Sequence, residues 1–250
     1  MKNKTVLITG ASMGIGKATA ITLAKCGMNV VLNYCNHRKE AEETANQINK
    51  NGLQAVAIQA DVSNNIQVIN MVNQACEIFG SIDALVNNAG IAQQKLFTDI
   101  SEKEWDEMFA INVKGAYNCC QAVLPNMIHN KSGKIINLSS IWGLVGASCE
   151  VHYSAAKAAI IGFTKALAKE VGPSGIQVNC VAPGVIKTKM LADFSDEDLK
   201  NLSNETPLCK LGTPQDVANV IKFLISDESD FITGQVISPN GGFVISLFIM

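Results

Sequence analysis

Short apolar runs rich in Val and Ile alternate along this chain with longer stretches whose apolar positions recur at helical spacing. Strands are expected at 4–9 (KTVLIT), 29–34 (NVVLNY), 54–59 (QAVAIQ), 82–86 (IDALV), 133–139 (GKIINLS), 175–181 (GIQVNCV) and 234–238 (GQVIS). Helices are expected near 14–27, 38–51, 64–79, 101–129, 153–171 and 213–226. Strands that are apolar on both faces and joined by helices imply a parallel sheet covered on both sides. With right-handed crossovers the fold class is α/β: a doubly wound Rossmann fold, a seven-stranded parallel sheet with helices on both faces. Ser101 with Glu104 reads as a capping box, and Thr213 before Pro214 as a capped helix start.

No linker, repeat or low-complexity segment interrupts the pattern, so residues 1–250 are expected to form one nucleotide-binding domain. The stretch 187–212 lacks a strand pattern and is acidic at Asp193, Asp196, Glu197 and Asp198. It reads as a substrate lid of two short helices, or as an ordinary solvated connection.

The net charge of −2 and pI near 5.9 suggest neither a nucleic-acid nor a membrane-surface partner. No run approaches the roughly 18 apolar residues of a membrane span. A strand pattern begins almost at Met1, which leaves no room for a signal peptide; a cytoplasmic location is expected. The eight cysteines form no C-x-x-C pair and read as free thiols, several of them buried. His37, His129 and His152 have no ligand spacing, so no metal site is expected.

Chemistry enters at the first turn. Strand 4–9 runs into Gly10, Ala11, Ser12, Met13, Gly14, Ile15 and Gly16, a glycine loop between a strand and an amphipathic helix. Such a loop brings backbone N–H groups and a helix N-terminus to a pyrophosphate. An NAD site usually carries Asp or Glu about 20 residues on, to hold the ribose 2′-hydroxyl. Here residues 33–39 contain no acid and include Asn36, Arg38 and Lys39. That favours NADP, with NADPH as donor, over NAD; alternatively Arg38 and Lys39 form a solvated first helical turn.

Tyr153 and Lys157 stand four apart, on one face of a helix. A neighbouring ammonium favours a phenolate, so the expected effect is a lowered tyrosine pKa and a phenol able to exchange a proton with a carbonyl oxygen. Ser140 precedes Tyr153 by thirteen residues at a strand end, and Asn88, Ala89 and Gly90 follow the fourth strand.

With TGASMGIG, NNAG, NLSS, YSAAK, NCVAPG and ITGQ in this order and spacing, the chain resembles the short-chain dehydrogenase/reductase superfamily over essentially its whole length. The resemblance implies a tetrad of Asn112, Ser140, Tyr153 and Lys157 that reduces a ketone to a secondary alcohol. Tyr153 would be the acid, Ser140 a hydrogen-bond donor to the same oxygen, and Lys157 the group that holds the nicotinamide ribose and tunes Tyr153. Asn112 would hold a water that returns the proton through Lys157. It also implies Asp61 and Val62 beside the adenine, Pro183, Gly184, Ile186 and Thr188 near the nicotinamide, and a homotetramer built on the helices near 101–129 and 153–171. Apolar residues beyond one core stripe (Met108, Phe109, Val113, Tyr117, Phe163) and the apolar tail 244–250 fit such an assembly.

Within the superfamily the chain is most similar to the 3-oxoacyl-[acyl-carrier-protein] reductases of fatty acid synthesis. It departs from them at Met13, where an Arg is common, at Ser174, which with Lys131 would form the carrier-docking pair beside the active-site mouth, and in its C-terminal ending. The strings IAQQKLFTDI, SSIWGLVGASCEVHYSAAK and QVISPNGGF also resemble the elongation factor P 5-aminopentanone reductases, which implies a ketone on a modified protein lysine. In that reading Gln93, Gln94, Trp142, Cys149 and Glu150 lie near the tetrad, and Glu150 either meets a substrate amine or caps the helix of Tyr153. A non-catalytic nucleotide-binding sensor is the alternative from another class.

Overall fold

The computed structural model describes residues 1–188 and 195–245. Seven strands form one sheet: β1 (Thr5–Ile8), β2 (Asn29–Tyr34), β3 (Ala55–Gln59), β4 (Ala84–Asn87), β5 (Gly133–Leu138), β6 (Ile176–Val181) and β7 (Val236–Ile237). Every pairing is parallel and the order is β3-β2-β1-β4-β5-β6-β7, as the alternating pattern implies. The strand order reverses between β1 and β4, and the loops that leave their C-terminal ends diverge there to open a crevice.

The helices are α1 (Gly14–Lys25), α2 (Arg38–Lys50), α3 (Asn65–Phe79), α4 (Glu102–Phe109), α5 (Gly115–Asn130), α6 (Trp142–Val145), α7 (Val151–Val171), α8 (Asp196–Glu205) and α9 (Pro214–Ile225). Strand side chains alternate between faces. Val6, Ile8 and Ile136 pack with Leu23 of α1, Ile48 of α2 and Ile221 of α9. Leu7 and Ile135 pack on the other side, with Met71 of α3, Val123 of α5 and Ala168 of α7. Capping boxes open α4 (Ser101, Glu104) and α9 (Thr213, Asp216), and a third opens α8 (Ser195, Asp198).

Two elements differ from the periodicity. The single helix expected over 101–129 is interrupted by a π-helical segment, Ala110–Lys114, between α4 and α5. Its widened turn surrounds Asn112, whose amide donates to the Ile91 and Met108 carbonyls at 3.0 and 3.1 Å. π-Bulges of this kind occur mostly at functional sites. β7 spans two residues where five were expected, because Gly234 (φ +70°) and Pro239 bracket this edge strand.

The excursion over 187–212 is closed at its base. Ile186 bridges Gly212, Lys187 N donates to Gly212 O at 2.8 Å, and Gly212 N to Val185 O at 3.0 Å. Of the two short helices expected in it, α8 is one; residues 189–194 lie outside the described residues, as does the tail segment 246–250. Met108, expected on a partner surface, is buried within its own chain, and Phe163 packs on the core, whereas Tyr117 is exposed.

Ile135 is fully buried in a central strand. Ile135→Ala is expected to cost about 2–5 kcal/mol. In thermal scans that is a fall of roughly 5–15 °C in Tm for a chain of this size. An unchanged Tm would contradict this account of the core.

Candidate active site

The glycine loop is shaped by close backbone approach. Gly10 and Gly14 have φ of +61° and +56°, a region that disfavours side chains. A Cβ on Gly16 would lie 2.5 Å from Gly10 O and 2.7 Å from Asn88 Nδ2. Asn88 Nδ2 donates to the Thr9 and Gly10 carbonyls at 2.9 and 3.0 Å, and Thr9 Oγ1 accepts from the Asn88 and Ala89 N–H groups. The loops after β1 and β4 are therefore one bonded unit. α1 starts at Met13 with no side-chain cap and no acid in its first turn. Its N–H groups and dipole thus face the crevice without a carboxylate to satisfy them, which suits a pyrophosphate.

Asn33, fully buried at the end of β2, ties this unit to the next strand. Gly10 N donates to its Oδ1 at 3.3 Å, and its Nδ2 donates to Ala60 O at 2.9 Å. Sequence reasoning assigned Asn33 no role; an amide at the buried end of an apolar strand is the signal that marks it. Asn36 and Arg38 are exposed beyond it, and Arg38 pairs with Glu42 one helical turn on, Nε to Oε1 2.7 Å. Asp61 closes a turn by accepting from the Ser63 N–H and hydroxyl, and Val62 O accepts from Asn118 Nδ2 at 2.8 Å. These residues follow the C-terminal ends of β2 and β3, next to the loop after β1.

At the other end, α7 brings Tyr153 and Lys157 against the end of β5. Lys157 is buried; its Nζ donates to Leu138 O at 3.0 Å and sits 5.6 Å from the centre of the Tyr153 ring. Burial pulls its pKa down to about 8, with the Cys180 thiol opposing. Tyr153 is half-buried, and desolvation pushes its phenol up to about 12; the hydrogen bond with Ser140 works the other way and Glu150 adds to the rise. The lowered phenol expected from the Tyr-Lys spacing is thus absent here: burial outweighs the Ser140 bond, and the Lys157 ammonium lies over the ring.

Ser140 is buried beside Tyr153, its Oγ accepting from Trp142 N at 3.2 Å. Asn112 comes in from the π segment. A Cβ on Gly90 would lie 2.5 Å from Asn112 Oδ1 and 3.3 Å from Lys157 Nζ, so both atoms border one small space beside Gly90. Asn112 Oδ1 is buried without a protein partner among the described residues. Below, Asn87 Nδ2 donates to Asn137 Oδ1 and Asn137 Nδ2 to Thr164 Oγ1, at 2.8 and 2.9 Å, a buried chain that joins β4, β5 and α7.

Pro183 O accepts from Ile141 N at 3.0 Å, and the segment through Gly184, Ile186 and Thr188 forms the wall opposite the glycine loop: Thr188 Cγ2 would be 3.6 Å from a Cβ on Gly14. Two expectations need correction. Glu150 occupies the N-cap position of α7 but makes no capping bond; it accepts from Gln94 Nε2 at 3.3 Å, and burial raises its pKa. Lys131 and Ser174 do not border the mouth. They lie where the chain enters β5 and β6, at the sheet edge opposite Ser140 and Tyr153. Spacing along the chain places residues on elements but does not say at which end of a strand they fall.

A family profile described as enoyl-(acyl carrier protein) reductase matches residues 10–244. The chain is 43% identical over 240 residues to the 3-oxoacyl-[acyl-carrier-protein] reductase FabG of Staphylococcus epidermidis, covering 96% of this chain and 98% of that one. It is 42% identical over 242 residues to the (2S)-[(R)-hydroxy(phenyl)methyl]succinyl-CoA dehydrogenase subunit BbsD of Thauera aromatica, covering 97% of each. It superposes on the crystal structure of a 3-oxoacyl-[acyl-carrier protein] reductase from Brucella melitensis with a TM-score of 0.93 and 36% identity, covering 98% of this chain and 92% of that one.

The buried lysine makes stability depend on pH. Below about pH 8 Lys157 is charged both folded and unfolded, and the folded state carries the full desolvation penalty. Between about 8 and its ordinary 10.5 the folded state releases the proton first, so stability climbs with pH. Lys157→Met carries no such penalty. At about 1.4 kcal/mol per pKa unit, the wild type should gain roughly 2–3 kcal/mol on this variant between about pH 7.5 and pH 10, read by urea unfolding. A difference that does not change with pH would refute the burial of the ammonium.

Proposed function

Because the chain belongs to the short-chain dehydrogenase/reductase family, which uses NAD(P), we propose that it reduces the ketone of a 3-oxoacyl thioester on acyl carrier protein to a secondary alcohol, with NADPH as donor. The observation that carries this reading is the convergence of the Ser140 hydroxyl and the Tyr153 phenol beside a buried Lys157. Two neighbouring O–H groups can both donate to a carbonyl oxygen that gains charge. The relatives named for 3-oxoacyl carrier substrates, and the one named for a CoA thioester, share an acyl thioester. None of these three is named for a ketone on a protein lysine or for a sensor.

The glycine loop of Gly10, Ser12, Met13, Gly14, Ile15 and Gly16 would hold the pyrophosphate at the open N-terminus of α1. Asp61 and Val62 would border the adenine, Asn88, Ala89 and Gly90 the ribose, and Pro183, Gly184, Ile186 and Thr188 the nicotinamide. Bound there, a reduced nicotinamide supplies the hydride. Burial keeps the Tyr153 phenol protonated at neutral pH, so the proton the acid must give is present in the resting site. Ser140 steadies the same oxygen. Lys157 offsets the phenolate left behind, and Asn112 Oδ1, facing the same space, accepts from the water that returns a proton through Lys157. The proposed assembly is a cytoplasmic homotetramer; among the described residues no helix is long and apolar enough to cross a membrane.

Tyr153→Phe keeps the ring and removes the proton. Turnover of an acetoacetyl thioester on carrier protein is expected to fall by about 10²–10⁴ with nucleotide binding retained. Near-wild-type turnover would show that Tyr153 is not the acid.

NADPH is expected to bind more tightly than NADH, since no carboxylate stands at 33–39. The margin should be modest, because Arg38 is shared with Glu42 and Met13 offers no charge. Arg38→Glu should erode that preference, by the small amount an exposed contact contributes. Dissociation constants for both nucleotides decide it, and a preference for NADH would overturn the assignment.

A further inference from the structure

We propose that Gln93, Gln94 and Lys95 form a strap that sets the position of Tyr153, with Gln93 and His152 as a pair of positioning residues. The inference rests on the reading of Tyr153 as the acid. Tyr153 lies in the first turn of α7, the turn least able to hold itself, since its N–H groups have no intrahelical partners and Glu150 supplies no cap. The strap makes up for this from outside. Lys95 N donates to Cys149 O at 2.7 Å, Gln94 Nε2 to Glu150 Oε1 at 3.3 Å, and His152 Nε2 meets Gln93 Oε1 at 3.0 Å. Three consecutive residues of the loop after β4 thereby hold three of the four residues ahead of Tyr153. Cys149, at φ +61°, is in a conformation that persists only under such restraint.

The strap is itself anchored at one carboxylate. Glu104 accepts from Gln93 Nε2 at 2.9 Å, from Lys95 Nζ at 2.8 Å on both oxygens, and from Ser101 N at 2.8 Å. Because the Gln93 amide nitrogen donates to Glu104, its oxygen faces His152, and His152 must carry its proton on Nε2. The fully buried imidazole thus donates through Nε2, its Nδ1 has no partner among the described residues, and burial lowers its pKa. Glu104 lies on α4, which leads into the π segment of Asn112, so one network holds Asn112 and Tyr153 in register across the site.

His152→Leu and Gln93→Leu each delete the bond with little change of volume, whereas His152→Gln keeps an N–H donor of similar reach. A misplacement near 1 Å costs about 100-fold. Both leucine variants are therefore expected to lose roughly 10–100-fold in kcat for ketone reduction, with KM and the NADPH dissociation constant unchanged. His152→Gln is expected to recover most of the rate. In parallel, ring-carbon NMR of ¹³C-tyrosine protein follows Tyr153, identified by Tyr153→Phe among the three tyrosines, in the absence of substrate. Its resonance should move or broaden in both leucine variants and return in His152→Gln. A leucine variant with wild-type kcat and an unmoved resonance overturns the proposal, as does a loss that His152→Gln shares equally. The resonance reports on the strap whatever the substrate, so an inactive wild type would refute the functional reading and leave this one to be decided by NMR.

Discussion

A lysine ammonium held inside the protein constrains everything around it. Lys157 can be charged there only if an acceptor lies close, and the last carbonyl of β5, Leu138, supplies it. That bond demands that α7 lie hard against the end of β5. Ser139 Oγ donates to Lys157 O at 2.7 Å, and a Cβ on Gly143 would fall 2.7 Å from the Lys157 carbonyl carbon. Gly90 opens the same space from the β4 side. The glycines near the site therefore answer two separate demands: those after β1 shape a loop, while Gly90 and Gly143 permit one helix to approach.

Around that lysine, side-chain amides do work that a parallel sheet cannot do for itself. Its loops emerge from the strand ends with unpaired backbone groups. Asn33 binds the loop after β1 to the loop after β3, Asn88 binds it to the loop after β4, and Asn137 links β4 to α7 through Thr164. Asn33 and Asn137 both give and accept, and Asn88 gives to two carbonyls, so each ties separate segments together. The crevice is held open by these ties.

The parts of this arrangement that were legible in the sequence are the local ones. A glycine loop between strand and helix, a Tyr-Lys pair one turn apart, a capping box at Ser101 and a capped helix start at Thr213 are written in neighbouring residues, and the alternation of strands and helices implied the sheet. What depends on a distant partner was not legible. Asn112, within the π segment, reaches Ile91, twenty-one residues away. His152 looked like a histidine without a role because its partner, Gln93, lies on another loop. The lowered phenol expected of Tyr153 assumed an ammonium at its oxygen, and burial reversed the sign.

One face of the sheet is covered by α1, α2 and α9, and α1 packs directly on α9, which is far from it along the sequence. Leu23 and Ala24 of α1 are buried against Val217, Ile221 and Leu224 of α9, and Gln215 reaches Thr22 at 3.0 Å. At roughly 5–20 residues per second on a ribosome, α1 waits on the order of 10–40 s before its cover has been synthesised. For that interval the nascent chain carries the nucleotide loop on a helix with an unprotected apolar side. The glycine loop at the start of α1 therefore gains its full packing only once α9 has been made.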